Sequence, residues 1–247
     1  MAVDVERLYA LRKDCDRIAQ RWTRIIPKGD VVGVSAGGTV EVVVDGNGMA
    51  VKAVVREGWR DVVPETELGF AVVEAYNNAS ISRFAELEKN REIDEKEPDP
   101  PETPVPIWSE TIGDVLHDYV DQHGDGPEIK RVLDRLSAMM QEILDNLDEV
   151  VQTIESRVAA EYVGTDAGRV VRVTVQGSRQ LLAVNIDQAW LQSRHAANVT
   201  ARICEAMVDA YRVLALSVPE DMMSGTLAGD FMTMMNDPRL MVHKLSS

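Results

Sequence analysis

A chain of 247 residues is long enough for two small domains of roughly 100 to 150 residues each. Acidic residues outnumber basic ones by 41 to 26, so the net charge is −15 and the chain as a whole should repel polyanions. The sequence has no run of about 18 apolar residues that could span a membrane, and its first residues lack the layout of a signal peptide. We therefore expect a cytoplasmic protein without a membrane partner.

The first predicted element is a long helix that ends at Pro27 and Gly29. Its apolar residues recur at steps of three and four, which places them on one narrow seam. The seam consists of Leu8, Leu11, Cys15, Ile18, Trp22 and Ile25. Because so narrow a seam suits a partner helix, we expect a coiled-coil-like pair with the second long helix of the chain.

A basic stripe follows another face of this helix at steps of four, four, three and four. The stripe consists of Lys13, Arg17, Arg21, Arg24 and Lys28. Residues 1–29 carry a net charge of +3 (seven basic against four acidic residues), whereas the rest of the chain carries −18. Such a row can neutralise successive phosphates of duplex DNA. The alternative is that it only pairs with acids on the partner helix, such as Glu142, Asp145 and Asp148.

A β-meander is predicted after the helix, because β-branched residues alternate with polar ones over 31–34, 39–44 and 51–56. The segment Asp45-Gly46-Asn47-Gly48 is typical of a hairpin turn. A helix from residue 65 to about residue 87 closes the module. An acidic, proline-rich linker is then expected over 88–126, with a short helix at 109–119 that bears Ile112, Val115 and Leu116.

The chain then repeats itself, since the stretch from Gly37 to Ala79 matches, without a gap, the stretch 131 positions later. The second half accordingly predicts a long helix with a seam from Ile129 to Ile154, strands at 170–175 and 181–186, and a closing helix at 196–216. Gly164 is interpreted as the end of the long helix. The predicted fold is α+β, with two helix–three-stranded antiparallel meander–helix modules at 1–87 and 127–217.

The motifs resemble the YbaB/EbfC family of nucleoid-associated proteins. The resemblance rests on Gly-Thr-Val-Glu-Val-Val-Val-Asp-Gly at 38–46, on Glu-Ala-Tyr-Asn-Asn-Ala at 74–79, and on their counterparts 131 positions later. Members of that family are small dimers that bind duplex DNA. The resemblance therefore implies an intrachain pseudo-dimer that contacts the DNA backbone through the basic stripe. Further pairing into a homo-oligomer stays open.

The tail at 218–247 holds six of the eleven methionines, and a helix presenting Phe231, Met234 and Met235 could bind a partner protein. The tail could instead pack against its own domain. A rival function is a cytosolic accessory or chaperone-like module of a type VII secretion system, because similar folds occur in such loci.

No catalytic constellation is visible, because the four histidines are scattered and the glycines at 33–38 lack the lysine of a phosphate loop. We expect no enzyme, cofactor or metal. Cys15 and Cys204 lie within helical patterns and are predicted to be reduced, buried thiols. The four tryptophans are interpreted as core and seam anchors: Trp22, Trp59, Trp108 and Trp190.

Overall fold

The computed structural model describes residues 17–100, 134, 135, 138, 141, 142, 145–217, 225 and 226. The chain divides into two compact units. The first comprises residues 1–103 and 159–217, and the second comprises residues 104–158 and 218–247. All six described strands belong to the first unit, so both predicted meanders lie within it.

The helices and strands follow the predicted order, to which the structure adds a strand at Glu161–Thr165 and a short helix at Gln188–Leu191. In the first half, α1 is helical over the described residues 17–25, and β1 (Val31–Val34), β2 (Val40–Val44), β3 (Ala50–Val55) and α2 (Leu68–Asp94) follow. In the second half the elements are α3 (Leu147–Ala159), β4 (Glu161–Thr165), β5 (Val171–Gln176), β6 (Leu181–Ile186), α4 (Gln188–Leu191) and α5 (Ala196–Ser217). Among the described helices, none is long and apolar enough to cross a bilayer.

The two sheets are built alike. Each is three-stranded and antiparallel, with its strands in sequential order. The register shifts between Val43 and Val44 in the first sheet and between Thr174 and Val175 in the second. These two irregularities coincide under the offset of 131 residues at which the sequence matches itself. The predicted α+β class with two antiparallel meanders is confirmed.

Each long helix approaches the first strand of its own sheet at a glycine. A Cβ atom on Gly33 of β1 would overlap with the carbonyl oxygen of Ala75 and the backbone nitrogen of Ala79 on α2. A Cβ atom on Gly164 of β4 would overlap in the same way with the backbone of Ala210 on α5. The interpretation of Gly164 as a helix end was therefore wrong, since α3 ends at Ala159 and Gly164 lies inside β4. A glycine that admits a neighbouring backbone cannot be told from a helix stop by local sequence.

Each long helix also reaches the other sheet. Helix α2 packs on β1 and β2 and contacts β6, whereas α5 packs on β4 and β5 and contacts β3. Five buried positions of the two helices coincide under the offset of 131. They include Leu68, Val72, Ala75 and Ala79 on α2, and Val199, Ile203, Ala206 and Ala210 on α5. The two helices therefore join the sheets through one continuous apolar core.

Side chains of α5 satisfy backbone groups of β3. The pairs are Thr200 with Val55, Cys204 with Ala53, and Tyr211 with Ala50. The amide nitrogen of Val55 donates to Thr200 Oγ1 at 2.8 Å, and Cys204 Sγ donates to the Ala53 carbonyl oxygen at 3.3 Å. The thiol of Cys204 is half-buried rather than buried, and Cys15 lies outside the described residues. An edge strand that is paired in this way is closed to further strands.

Tyr211 has the most enclosed of these polar contacts. Its hydroxyl accepts a hydrogen bond from the amide of Ala50 at 3.1 Å and donates one to the carbonyl oxygen of Arg179 at 3.1 Å. Burial raises the pKa of Tyr211 above its ordinary value, so the hydroxyl stays protonated and keeps the proton that it donates to Arg179. One phenol thus joins β3 to the turn between β5 and β6.

Other predictions have mixed outcomes. Helix α2 runs to Asp94, seven residues past the predicted end at residue 87. Trp59 is buried and Trp190 is half-buried, but Trp22 is half-exposed, as is Ile18 of the same seam. Trp108, the short helix at 109–119, the tail residues Phe231, Met234 and Met235, and most of the second seam lie outside the described residues. The coiled-coil-like pair and the boundaries at 87, 126 and 217 stay predictions.

We expect Gly33→Ala and Gly164→Ala each to destabilise the protein by about 3 kcal/mol or more, because the added methyl group meets backbone atoms that cannot move aside. Thermal unfolding measures the loss. Gly29→Ala is the matched control, since a Cβ atom there meets nothing within 4 Å. Equal melting temperatures for all three variants would show that the helices do not lie this close to the strands.

We expect Tyr211→Phe to cost about 1–3 kcal/mol of unfolding free energy, because it leaves the buried amide of Ala50 without an acceptor. Denaturant titration followed by circular dichroism measures it. Tyr162→Phe is the control, since the Tyr162 hydroxyl makes no hydrogen bond within the described part of the chain. A loss no greater than that of Tyr162→Phe would contradict the contact with β3.

Candidate nucleic-acid interface

The basic stripe on α1 faces carboxylates at the end of α2. Arg21 Nη2 lies 2.6 Å from Asp99 Oδ1, and Arg21 Nε lies 3.8 Å from Asp94 Oδ2. Arg24 Nη1 lies 3.4 Å from Asp94 Oδ1 and 3.6 Å from Glu97 Oε2. The two guanidinium groups thus share three carboxylates of the same chain.

Asp94 is the centre of this cluster. It is the last residue of α2, only 7% of its surface is exposed, and both Arg21 and Arg24 reach it. A carboxylate that is this buried needs its cationic partners, because an unpaired charge there would be costly. The pairs that involve the more exposed Glu97 and Asp99 are worth little by comparison.

The end of α1 is also fixed to α2 by backbone contacts. Asn90 Nδ2 donates to the carbonyl oxygen of Ile25 at 3.2 Å, and the side chain of Ile25 is buried. Arg24 Nη1 also lies 3.4 Å from the carbonyl oxygen of Pro98. The last turn of α1 therefore has a defined position against α2.

The structure brings three of the five predicted DNA contacts together. Arg17 joins the cluster at 4.0 Å from Asp99 Oδ2, beside Arg21 and Arg24. Lys28 is exposed beyond the end of α1, and Lys13 lies outside the described residues.

Sequence reasoning named Glu142, Asp145 and Asp148 as acidic partners of the stripe and missed Asp94, Glu97 and Asp99. The predicted helix stops at residue 87, whereas α2 continues to Asp94 and so carries these acids to α1. The available signal was the run of helix-compatible residues from 88 to 94, which contains neither proline nor glycine.

The glutamate of the closing-helix signature has a structural role in both halves. Glu74 Oε2 accepts a hydrogen bond from the amide of Ala36 at 3.0 Å, and Glu205 Oε1 accepts one from the amide of Ala167 at 3.1 Å. Both amides lie in the turn that follows the first strand of a sheet. The signature therefore holds this turn against the helix, which explains its recurrence without a role in DNA contact.

Four residues after each of these glutamates, α2 carries a side chain that donates a hydrogen bond, whereas α5 carries one that accepts. Asn78 Nδ2 donates to the carbonyl oxygen of Val34 at 2.8 Å, whereas Asp209 Oδ2 accepts from the amide of Thr165 at 2.9 Å. This backbone hydrogen bond, together with Arg212 at 2.6 Å, lowers the pKa of Asp209 below its ordinary value.

The fold is thus an α+β arrangement of two meanders. The glutamates of the closing-helix signature hold turns of this fold. The arginines of the basic stripe lie on α1, beside acidic residues. Residues 131–229 match the model of the YbaB/EbfC DNA-binding family. This region contains β4, β5, β6 and α5, so the resemblance is confirmed for the second half, which holds a YbaB/EbfC family domain. Neither the curated proteins nor the solved structures gave a match.

Because the pKa of Asp209 is lowered on folding, its contribution to stability is present above about pH 4 and is lost as the pH falls further. We expect the difference in unfolding free energy between the native chain and Asp209→Ala to shrink below about pH 4. Chemical denaturation across pH 3 to 7 measures it. The difference between Asp209→Ala and Asp209→Asn should stay constant, since neither residue titrates; a pH-independent difference for the native chain would contradict the prediction.

Proposed function

We propose that this chain is a non-enzymatic DNA-binding protein of the nucleoid-associated or regulatory kind, which contacts the duplex backbone through α1. The observation that carries the proposal is the match of residues 131–229 to a DNA-binding family. The cations of α1 support the choice of surface, because their spacing places them on one face of a helix. Such a protein acts on the chromosome and hence in the cytoplasm.

We also propose that the first half is a second copy of the same module and that the two copies form a pseudo-dimer within one chain. The coincident strand registers, the glycines at 33 and 164 and the glutamates at 74 and 205 support this proposal. So does the exchange of contacts, in which α2 reaches β6 and α5 reaches β3.

DNA would bind by replacing the chain's own carboxylates. Exposed ion pairs such as those of Arg21 and Arg24 with Asp99 and Glu97 contribute about 0–1 kcal/mol each, so they give way to a denser anion. The duplex presents closely spaced phosphates along its backbone, and their neutralisation releases counterions. Binding of this kind has little sequence preference and weakens steeply with salt.

The net charge of −15 determines which surface of the chain can face the duplex. Because the rest of the chain repels the duplex, only the surface that contains α1 can approach it closely. The affinity should accordingly be modest and should depend on a small number of cations. The tail residues Phe231, Met234 and Met235 stay a predicted protein-binding site.

We expect the triple variant Arg17→Glu, Arg21→Glu, Arg24→Glu to lower the affinity for duplex DNA at least tenfold at about 50 mM salt. The slope of log K against log salt should become shallower by about 3, since each phosphate contact contributes about 0.9. Fluorescence anisotropy with a labelled duplex measures both quantities, and the melting temperature checks that the variant folds, because Arg21 and Arg24 also neutralise buried Asp94.

The matched control for this variant changes Lys52, Arg172 and Arg194 to glutamate, which alters the net charge equally on exposed residues that form no hydrogen bond or ion pair with α1 among the residues that the structure describes. Equal losses for the two triple variants would mean that α1 is not the contact surface. No binding by the native chain at 50 mM salt would refute DNA binding itself.

We expect Glu97→Gln combined with Asp99→Asn to raise the DNA affinity by about two- to tenfold, because these carboxylates compete with phosphate for Arg21 and Arg24. The same anisotropy titration measures the gain. Glu86→Gln combined with Glu92→Gln removes the same charge from exposed positions of α2 and should have a smaller effect. Equal gains would show that only net charge matters.

A further inference from the structure

Helix α2 exposes an apolar stripe on the side that faces away from the core. Phe70, Ile81 and Phe84 are 76%, 66% and 62% exposed. Their spacing places them within one narrow arc of the helix, along about 20 Å of its length. Two exposed phenylalanines in one stripe are unusual for a surface that only meets water.

An open groove of about 310 Å³ continues this stripe at the beginning of α2. Its walls include Val62, Val63, Pro64 and Phe70, and Val62 is itself 55% exposed. The carboxylates of Glu67 and Glu74 also line it. We call the stripe and the groove together the α2 face.

The second half of the chain shows that the fold does not need this apolar surface. At the offset of 131 residues, Val62 corresponds to Ser193, Phe70 to Ala201 and Phe84 to Ala215. Helix α5 nevertheless packs on its sheet as α2 does. The large apolar side chains of the α2 face are therefore surplus to folding.

The position of the groove is occupied differently in the second half. Its buried residue Ala71 corresponds to Arg202, which pairs with Asp166 at 3.6 Å and with Glu205 at 2.8 Å. Charged side chains thus occupy the position at which the first half has an apolar wall. The two halves agree in backbone and differ in what this surface can bind.

Carboxylates line one flank of the stripe, while Arg83 lies 5.6 Å from the centre of the Phe84 ring and Arg91 pairs with Glu88 at 3.6 Å. Glu67, Glu74 and Glu88 are exposed and lie seven or fourteen residues apart, in one row with Ile81. Residues seven apart lie on nearly the same side of a helix, so the carboxylates run parallel to the row of Phe70 and Phe84. A ligand for this surface needs an apolar stripe and positive charges along one flank.

We propose that the α2 face binds an amphipathic helix whose apolar stripe is flanked by lysine or arginine. Helices of this kind bind apolar grooves through side chains at steps of three and four, and exposed aromatic residues are typical anchors of such interfaces. A second copy of this chain is a poor occupant, because antiparallel pairing of two α2 faces would bring rows of carboxylates together. Duplex DNA is excluded by the same charges. The site is independent of α1 and of DNA binding.

The test uses the full chain and two synthetic helical peptides that carry fluorescein. Both are 18-mers with leucine at steps of three and four, one with lysine and the other with glutamate at the flanking positions. Anisotropy titrations at about 150 mM salt should show that the lysine peptide binds at least tenfold more tightly than the glutamate peptide. Phe70→Ala combined with Phe84→Ala should weaken binding of the lysine peptide at least tenfold.

The variant should fold, since it places in α2 the residues that α5 already has, and its melting temperature checks this. The control is Val208→Ala combined with Leu216→Ala, which removes side chains that are 67% and 76% exposed on α5. It should leave the affinity unchanged.

Three results would overturn the proposal: no binding of the lysine peptide, equal affinities for the two peptides, or an affinity that is unaffected by Phe70→Ala with Phe84→Ala. Self-association that this variant abolishes would instead identify a second copy as the occupant. Because no step involves DNA, failure here leaves the DNA-binding proposal standing, and loss of DNA binding leaves this one standing.

Discussion

The structure depends on the contact between a long helix and the first strand of its sheet at Gly33 and Gly164. With no side chain between them, the helix lies directly on the strand backbone, which fixes its height and direction over the sheet. Once it is so placed, the buried row from Leu68 to Ala79 covers one sheet and the beginning of the helix reaches the other. The same contact repeated at Gly164 places α5 against the edge of β3, where Thr200, Cys204 and Tyr211 complete its hydrogen bonds.

A shared backbone leaves the surfaces of the two halves free to diverge. Asn78 and Asp209 occupy the same place and hold the same strand end through hydrogen bonds of opposite direction. Phe70 and Ala201 likewise occupy one place on the two helices, yet only the first forms an exposed apolar site. The core is common to both halves, whereas each of the two proposed binding surfaces belongs to the first half alone.

Positive and negative charges are also concentrated on different surfaces of the first half. The cations of α1 lie beside carboxylates of the same chain, so any polyanion meets an interface that is already neutralised. Buried Asp94 fixes the position of Arg21 and Arg24, whereas the more exposed Glu97 and Asp99 are exchangeable. This arrangement holds Arg21 and Arg24 in place. Their release from Glu97 and Asp99 should depend on ionic strength. On α2, Glu67, Glu74 and Glu88 lie along one flank of the apolar stripe, and Arg91 pairs with Glu88. This flank is the reason for proposing a basic partner there.

The sequence by itself determined the α+β class, the match between its two halves, five of the six strands to within one residue at each end, and the beginning of α5. It placed the beginning of α2 at residue 65, three residues before Leu68. These features follow from periodicities of two and of about 3.6 residues and from turn residues, all of which are local. It also predicted a common face for Arg17, Arg21 and Arg24, which lie beside the same group of carboxylates. Only the tertiary structure decided that Gly164 belongs to a strand, that α2 continues to Asp94, and that the cations meet Asp94, Glu97 and Asp99. The contacts of Tyr211 with Ala50 and of Arg24 with Asp94 join residues 161 and 70 positions apart. No local pattern records such separations, because they are set by how the helices cross the sheets.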